Sequence, residues 1–466
     1  MISLKQIRKL IDQSQKDYEY CWNDLSAWKA DPSNMTTEAL LDFQPKLAGA
    51  LFQLSEMHHA LSKESNNFIS RKQTFSPKWF RHRMKTLDAY RGLIAETTKT
   101  GKVLGDAFAW LFYQRERKYL RKHFEHAPTQ IPSGLGGKGE FAFIKRVRVW
   151  EGQITIFHGI TNFLRIGDVS FYDPKSGRIT AIGELKTEKE VGKRLLLQVH
   201  VRWPKESEEV WPLPSKKSKR TKLTMSQKRQ QQLKRQLQTM DASFALRDPS
   251  ETIKLEDRTH LEEFRQLATT LQSKSIAFQK AGDGLLLFGF TMNRERSFFG
   301  RMWPTSTKAD FDKRFTGLVE QVRSIMDPTQ VGSPSNANSI FYSSLELASF
   351  PGTTPIFWWS LPLDFTRKLI FHEVTVVTIY NPGHLVRKLR ALGYQVELHR
   401  TELKVTKRIG DSQLEMRNMR YFVNLIQQHL VREELVLATL ESILKQIDSG
   451  EISPNSRIDL DFQVYY

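Results

Sequence analysis

The stretch RIGDVSFYDPKSGRITAIGELKT, residues 165–187, decides the expected fold, because it predicts two β-strands joined by a tight turn. DVSFY and ITAIGEL are rich in β-branched and aromatic residues, which favour strands. Between them, DPKSG supplies the proline, polar residues and glycine that are typical of a hairpin turn. A turn centred on Ser176 places Asp168 opposite Glu184 on the neighbouring strand.

Three charged side chains are therefore expected on one face of the hairpin. Because side chains alternate along a strand, Lys186 shares the face of Glu184 and Asp168, while Leu185 points away. A one-residue change in the turn would set Asp168 diagonal to Glu184, still close enough to share an ion. Two carboxylates that face each other repel unless a cation lies between them, and Mg²⁺ or Mn²⁺ suits such oxygen ligands. A lysine beside this metal could orient or deprotonate a water and stabilise charge on a phosphate.

The order Asp168, then Glu184-Leu185-Lys186, resembles the signature of the PD-(D/E)XK nuclease superfamily, which is restriction-endonuclease-like. The resemblance implies an α/β (α+β) fold with a mixed sheet flanked by helices. It also implies a divalent-metal site in which Asp168 and Glu184 bind the metal, Lys186 is the catalytic lysine, and all three are catalytic. Gly167 stands where the motif has its proline. The alternative is an ordinary solvated hairpin whose lysine pairs with a carboxylate.

Composition favours a polyanionic partner. The chain of 466 residues, long enough for two to four domains, has 70 Lys and Arg against 51 Asp and Glu, a formal charge of +19. Nucleic acid, and DNA first, is the expected partner, although a ribosome-associated or membrane-surface protein has the same balance. The single Cys21 excludes an intramolecular disulfide and a cysteine-based zinc site. With no long apolar run and no signal peptide, we expect a cytoplasmic protein without a membrane span.

The first hundred residues are expected to form a helical domain, 1–100, in which Ser76 caps one helix. A further helix is predicted over Gly105–His123, and PSGLGGKGEF, residues 132–141, is interpreted as a flexible loop. Glu116 and Glu140 are candidates for a further metal-site acid, with ordinary surface pairing as the alternative for Glu116.

A nuclease domain is predicted over 101–326, with a basic insertion at about 205–255. His158, in a strand-like run before the hairpin, is expected to be a packing residue. Gln198, in a predicted strand after the hairpin, resembles a functional glutamine that some superfamily members carry, although theirs lies on a helix. Nine basic and no acidic residues fall within 210–240, either tracking a phosphate backbone or forming a solvated insert. The candidate nucleic-acid-binding residues are Lys216, Lys217, Lys219, Arg220, Lys228, Arg229, Lys234 and Arg235.

Downstream, Thr259 and Glu262 predict a capping box, and the helix and strand that follow are expected to complete the nuclease sheet. An α/β C-terminal domain is predicted over 340–466, with a strand, a helix and a strand around Pro382 and Gly393. It is expected to end in a long amphipathic helix or helix pair, whose apolar face either packs on its own domain or contacts a protein partner or a second copy of the chain.

Taken together, these patterns predict a divalent-metal-dependent nuclease, a hydrolase acting on DNA or, less often, RNA. A role in restriction, phage defence or mobile-element processing is a fold-level analogy. Two alternatives remain open: a nucleic-acid-binding protein without catalysis, and a scaffold subunit of a multi-protein assembly.

Overall fold

Helices and antiparallel sheets build this chain, an α+β architecture. The computed structural model describes residues 2–124, 126–127, 131–132, 134–191, 194–202, 259–291, 341–345, 347, 353–399, 402–409, 412–416 and 420–449. The chain divides into two compact units, residues 1–251 with 348–357 and residues 252–347 with 358–466. The predicted basic insertion, with its eight candidate nucleic-acid-binding residues, lies outside the described residues.

The first unit begins with three long helices, and serine side chains cap the N-termini of the first and the third. The Ser3 side chain and Gln6 form a capping box at the first, and the Ser76 hydroxyl accepts a hydrogen bond from the Trp79 backbone N–H at the third, as predicted. The helices pack through aromatic side chains, with the rings of Phe43 and Phe108 stacked at 4.5 Å. The helices of this unit are α1 Leu4–Ala30, α2 Thr37–Ser70, α3 Pro77–Tyr113, α4 Arg117–Phe124 and α5 Leu135–Arg146.

Two predicted boundaries in this region are wrong. Helix α3 runs through residue 100, so the expected boundary between a helical domain and a nuclease domain falls inside one helix. The helix predicted over Gly105–His123 is divided, because α3 ends at Tyr113 and the basic part forms the separate α4. Both the helices and the first sheet belong to the same compact unit.

The glycine-rich stretch that was expected to be a loop forms most of α5. Its glycines permit close contacts that any side chain would block. A Cβ added at Gly137 would lie 1.8 Å from the carbonyl oxygen of Pro132, and one at Gly139 would lie 1.8 Å from Oγ1 of Thr187. These glycines therefore serve close packing of a helix against its neighbours, which outweighs their low helix propensity.

A five-stranded antiparallel sheet, in the order β1-β2-β3-β4-β5, follows these helices in the first unit. The hairpin of β3 and β4 is the one predicted, and Phe143 of α5 packs on one of its faces with Val169, Phe171 and Leu185. The mixed sheet implied by the resemblance is not confirmed, since every strand pairing among the described residues is antiparallel. The strands are β1 Val149–Trp150, β2 Gln153–Phe157, β3 Val169–Asp173, β4 Arg178–Val191 and β5 Arg194–Arg202.

The second unit has two antiparallel sheets in its described residues, a four-stranded sheet in the order β6-β7-β9-β8 and a three-stranded sheet in the order β10-β11-β12. Its helices are α6 Leu261–Ser273, α7 Leu363–Ile370, α8 Gly383–Ala391, α9 Arg420–His429 and α10 Glu433–Asp448. Its strands are β6 Ile276–Ala281, β7 Leu285–Thr291, β8 Phe341–Ser344, β9 Val374–Tyr380, β10 Gln395–His399, β11 Glu402–Ile409 and β12 Ser412–Met416.

The structure of the second unit differs from several of the predictions made from the sequence. The helix and strand after residue 259, α6 with β7, belong to this unit and not to the sheet of the first unit, and α6 begins after His260 without a side-chain cap. The predicted strand, helix and strand appear as β9, α8 and β10, but the two strands lie in different sheets. The last segment begins as strand β12 before the helix pair α9 and α10. In the described part of the chain, no helix combines the length and the apolar character needed to span a membrane.

Candidate active site

The hairpin register places Asp168 beside Glu184. Val169 pairs with Gly183, and the Asp168 backbone N–H continues the ladder by donating to the Gly183 carbonyl at 2.8 Å. The turn itself is centred half a residue earlier than predicted, with Asp173 paired to Arg178. A β-bulge between Phe171 and Tyr172 absorbs the difference, so Asp168 and Glu184 each lie one residue beyond the last pair of the ladder, Val169 and Gly183.

Asp168 is fixed on both sides by backbone bonds. Its carboxylate Oδ2 accepts a hydrogen bond from the Leu185 N–H at 2.7 Å, and its carbonyl accepts one from the His158 N–H at 2.9 Å. Gly167 before it has a φ of +71°, and a Cβ there would lie 2.7 Å from Cγ2 of Ile182 and 2.9 Å from the Gly183 carbonyl oxygen. Glycine is thus required where the nuclease motif has a proline.

Glu184 and Lys186 lie on the same face, as predicted. The Lys186 ammonium donates to Glu184 Oε1 at 2.5 Å, and Glu184 is only 2% exposed. Leu185 between them points to the opposite face, into the apolar cluster under α5. One lysine therefore faces a nearly buried carboxylate, while a quarter of its own side chain stays accessible.

Helix α5 brings a third acid close enough for its pKa to respond to these charges. Glu140 is 7% exposed and follows Gly139, the residue at which α5 approaches Thr187 of β4. Burial, followed by the charges of Asp168 and Glu184, raises the pKa of Glu140, while Lys186 opposes the shift. Of the two further acids considered from sequence, Glu140 belongs to this cluster. Glu116 lies in the turn before α4 and does not affect the pKa of Glu140 or Asp168.

The electrostatic balance of the cluster is unfavourable for three ionised acids. Burial, followed by the charge of Glu184, also raises the pKa of Asp168, against the opposing effects of the Leu185 N–H and Lys186. Three carboxyl groups thus interact with one lysine, and while Glu140 and Glu184 are buried, Asp168 and Lys186 are partly exposed. Two arrangements would relieve the repulsion: retention of a proton on an acid, or the binding of a further cation.

A buried polar chain supports the strand that follows Asp168. His158, which was expected in a strand, lies in a 3₁₀ turn after β2, with its Nδ1 3.1 Å from the Gly167 carbonyl and its Nε2 2.5 Å from the Ser170 hydroxyl. The Tyr113 hydroxyl lies 2.5 Å from the same Ser170 oxygen. If His158 is neutral with its proton on Nδ1, Nδ1 donates to the Gly167 carbonyl and Nε2 accepts a hydrogen bond from the Ser170 hydroxyl. The Ser170 oxygen can then accept a hydrogen bond from the Tyr113 hydroxyl. Burial lowers the pKa of His158 to about 4, which keeps it neutral.

Strand β5 adds two polar residues to the face of the acids. His200 is the cross-strand partner of Glu184, and Gln198 is the partner of Lys186. Gln198 was considered from sequence, and the structure places it beside the lysine on a strand. Sequence reasoning missed His200, although it follows Gln198 by two residues and so shares its face.

The donor set fits a hard divalent cation. Asp168 and Glu184 supply carboxylate oxygens. Glu140 adds a third acid, and the negative charges of Asp168 and Glu184 oppose its ionisation. In the described ranges, no group of three or more His, Cys, Asp or Glu side chains is arranged to hold a metal ion by itself. Mg²⁺ commonly uses one or two protein carboxylates and completes its shell with water and phosphate oxygens, so two of these acids suffice.

Comparison of the chain with protein-family models, with curated proteins and with solved structures gives no match.

Proposed function

We propose that this chain is a divalent-metal-dependent nuclease that hydrolyses phosphodiester bonds of nucleic acid, with DNA as the first substrate to test. The observation that supports this proposal most is the meeting of Asp168, Glu184 and Lys186 on one hairpin, with Glu140 near enough for their charges to shift its pKa. A surplus of buried carboxyl groups over lysines is costly to stability, and a function that binds a cation accounts for it. The formal charge of +19 favours a polyanionic substrate.

In this proposal, Asp168 and Glu184 would hold Mg²⁺ or Mn²⁺, and Glu140 would complete the acidic set. When bound, the metal would polarise the phosphate and lower the pKa of a water. The Leu185 N–H holds the Asp168 carboxylate in place, which fixes one ligand without a further side chain. Lys186, paired with Glu184, would orient the attacking water and offset charge that builds on the phosphate. Restriction, phage defence or mobile-element processing would be compatible roles.

Cleavage of labelled duplex and of labelled single strands, with Mg²⁺, with Mn²⁺ and with chelator, tests the proposal. Lys186→Ala should lower the cleavage rate by about two to four orders of magnitude, the usual scale for one catalytic group, while nucleic-acid binding persists. Asp168→Asn should abolish metal-dependent cleavage more completely, because one remaining carboxylate is a poor magnesium site. Glu116→Gln, which changes an acid outside the cluster, is the matched control.

Equal cleavage by the wild type and both site variants would place any nuclease activity elsewhere. Binding without cleavage of any substrate by the wild type would favour the second candidate function, a nucleic-acid-binding protein without catalysis. The net charge alone accounts for that alternative, but it leaves the buried acids unexplained.

A further inference from the structure

The turn between α2 and α3 forms a surface that the proposed active site does not explain. We call residues 65–87 the hairpin tip, meaning the tip of the helical hairpin formed by α2 and α3 and not of the β3–β4 hairpin. These residues contain the end of α2, the connecting turn and the start of α3. These 23 residues carry six Lys and Arg and no Asp or Glu. Such a concentration of one charge on an ordered turn costs repulsion, and it creates a local positive potential.

Aromatic side chains hold the turn together. The rings of Phe75 and Trp79 stack with centroids 4.7 Å apart, and both meet Phe68 edge-on at 5.4 and 5.3 Å. The cluster lies near the surface: Trp79 remains 38% exposed and Ile69 53% exposed. Part of an indole ring, fixed by its neighbours, is therefore presented to solvent.

The cations of the hairpin tip are largely available to a ligand. Arg83 pairs with Glu64, whereas in the described part of the chain Arg71, Lys72, Lys78, Arg81 and Lys85 have no ion pair with a carboxylate. All five are exposed. Lys78, Arg81 and Lys85 recur at helical spacing, so they line one face of the first turns of α3, and Trp79 lies about 100° round the helix axis from Lys78.

We propose that the hairpin tip binds single-stranded nucleic acid, with Trp79 stacking on a base and with Lys78, Arg81 and Lys85 contacting backbone phosphates. An exposed aromatic ring among unpaired cations is the arrangement that single-strand-binding surfaces use, because every base offers a face for stacking and every nucleotide a charge. The proposal deepens the proposed function, on which it rests for the identity of the ligand.

An anionic membrane surface also attracts cations and tryptophan. An interfacial helix, however, buries a broad apolar face in the lipid. The large hydrophobic side chains exposed at the hairpin tip are Ile69 and Trp79, while Phe75 and Phe80 are only partly exposed. The small apolar area and the regular row of cations favour the nucleic acid.

The test measures binding of a fluorescein-labelled single-stranded oligonucleotide by anisotropy, with the full chain in chelator so that hydrolysis plays no part. Trp79→Leu should weaken binding on the order of tenfold, the effect of losing one stacked base, whereas Trp79→Phe should retain most of it. Replacing Lys78, Arg81 and Lys85 by Gln should reduce the slope of log affinity against log salt by about 2, since each single-strand phosphate contact contributes about 0.7.

The matched control removes three exposed cations from α1, Lys5, Lys9 and Lys16, and should leave the slope nearly unchanged. Circular dichroism and urea unfolding check the fold of every variant, and the triple substitution leaves the aromatic packing intact. Equal losses in the two triple variants, or unchanged binding with Trp79→Leu, would overturn the proposal. So would binding to phosphatidylglycerol vesicles without binding to the oligonucleotide.

The outcomes also separate the two proposals. If the wild type cleaves nucleic acid and the hairpin-tip variants bind and cleave like it, the inference about the hairpin tip fails and the nuclease stands. If binding depends on the hairpin tip but no metal supports cleavage, the nuclease proposal fails and the inference stands.

Discussion

Substitution of Glu140 by Gln should stabilise the first unit at neutral pH in the absence of divalent metal. Glu140 is 7% exposed, and burial beside Asp168 and Glu184 raises its pKa from 4.5 to about 9. Between these values the folded protein retains a proton that the unfolded chain releases, so its stability falls as the pH rises. At pH 7, 2.5 units above 4.5, this costs about 3 kcal/mol at 1.4 kcal/mol per unit. Gln keeps the shape without the ionisation, so a gain of about 1 to 3 kcal/mol is expected.

Urea unfolding followed by tryptophan fluorescence measures this gain, with the transition of the first unit analysed separately because the chain has two compact units. The gain should fall to about 1 kcal/mol at pH 5 and nearly vanish at about pH 3.5, where the unfolded chain is largely protonated too. It should also shrink in saturating Mg²⁺, because bound metal stabilises the wild type by RT ln(1 + [L]/Kd), about 2.7 kcal/mol at 100 times Kd.

Glu151→Gln, at an exposed position in the turn between β1 and β2, serves as the control and should change stability little. The reasoning would be refuted by a Glu140→Gln variant that is destabilised at pH 7. It would also be refuted by an equal gain at pH 5 and pH 7, since ionisation could then not be the cause.

Three further predictions concern packing, pH and the basic segment. Gly139→Ala should destabilise the first unit by about 1 to 3 kcal/mol in urea unfolding, because α5 must move away from Thr187, whereas Gly136→Ala, whose nearest contact would be 3.5 Å, should be tolerated. Burial lowers the pKa of His429 from 6.5 to about 3, so this group's stabilising contribution is present above pH 6.5 and is lost as the pH falls. The loss should reach about 3 kcal/mol by pH 4.5, and His429→Gln should flatten that pH dependence of unfolding. If the basic segment contacts phosphates, a variant with four of its cations replaced by Gln should show a smaller dependence of nucleic-acid affinity on salt, and an unchanged slope would indicate a solvated insert. The four residues are Lys228, Arg229, Lys234 and Arg235.

The local hairpin could be predicted from the sequence because its determinants are local. The turn residues between Asp173 and Arg178, and the two-residue period on either side, were enough to place Glu184 and Lys186 on one face. The start of α3 could be predicted from the sequence in the same way, because Ser76 caps this helix within one turn of the chain. Patterns of this kind act over a few residues.

Tertiary packing decided the rest. The glycine-rich stretch before Glu140 has the composition of a loop, and only its close approach to Thr187 and Pro132 makes a helix with glycines the better arrangement. That packing brings Glu140, which from the sequence was only one of two candidate acids, near Asp168, 28 positions further along the chain. The sequence by itself determined a hairpin with two acids and a lysine on one face. The tertiary structure selected Glu140 over Glu116 as the third acid and supplied antiparallel partners for the strands, because long-range contacts depend on how preformed elements fit together and not on local spacing.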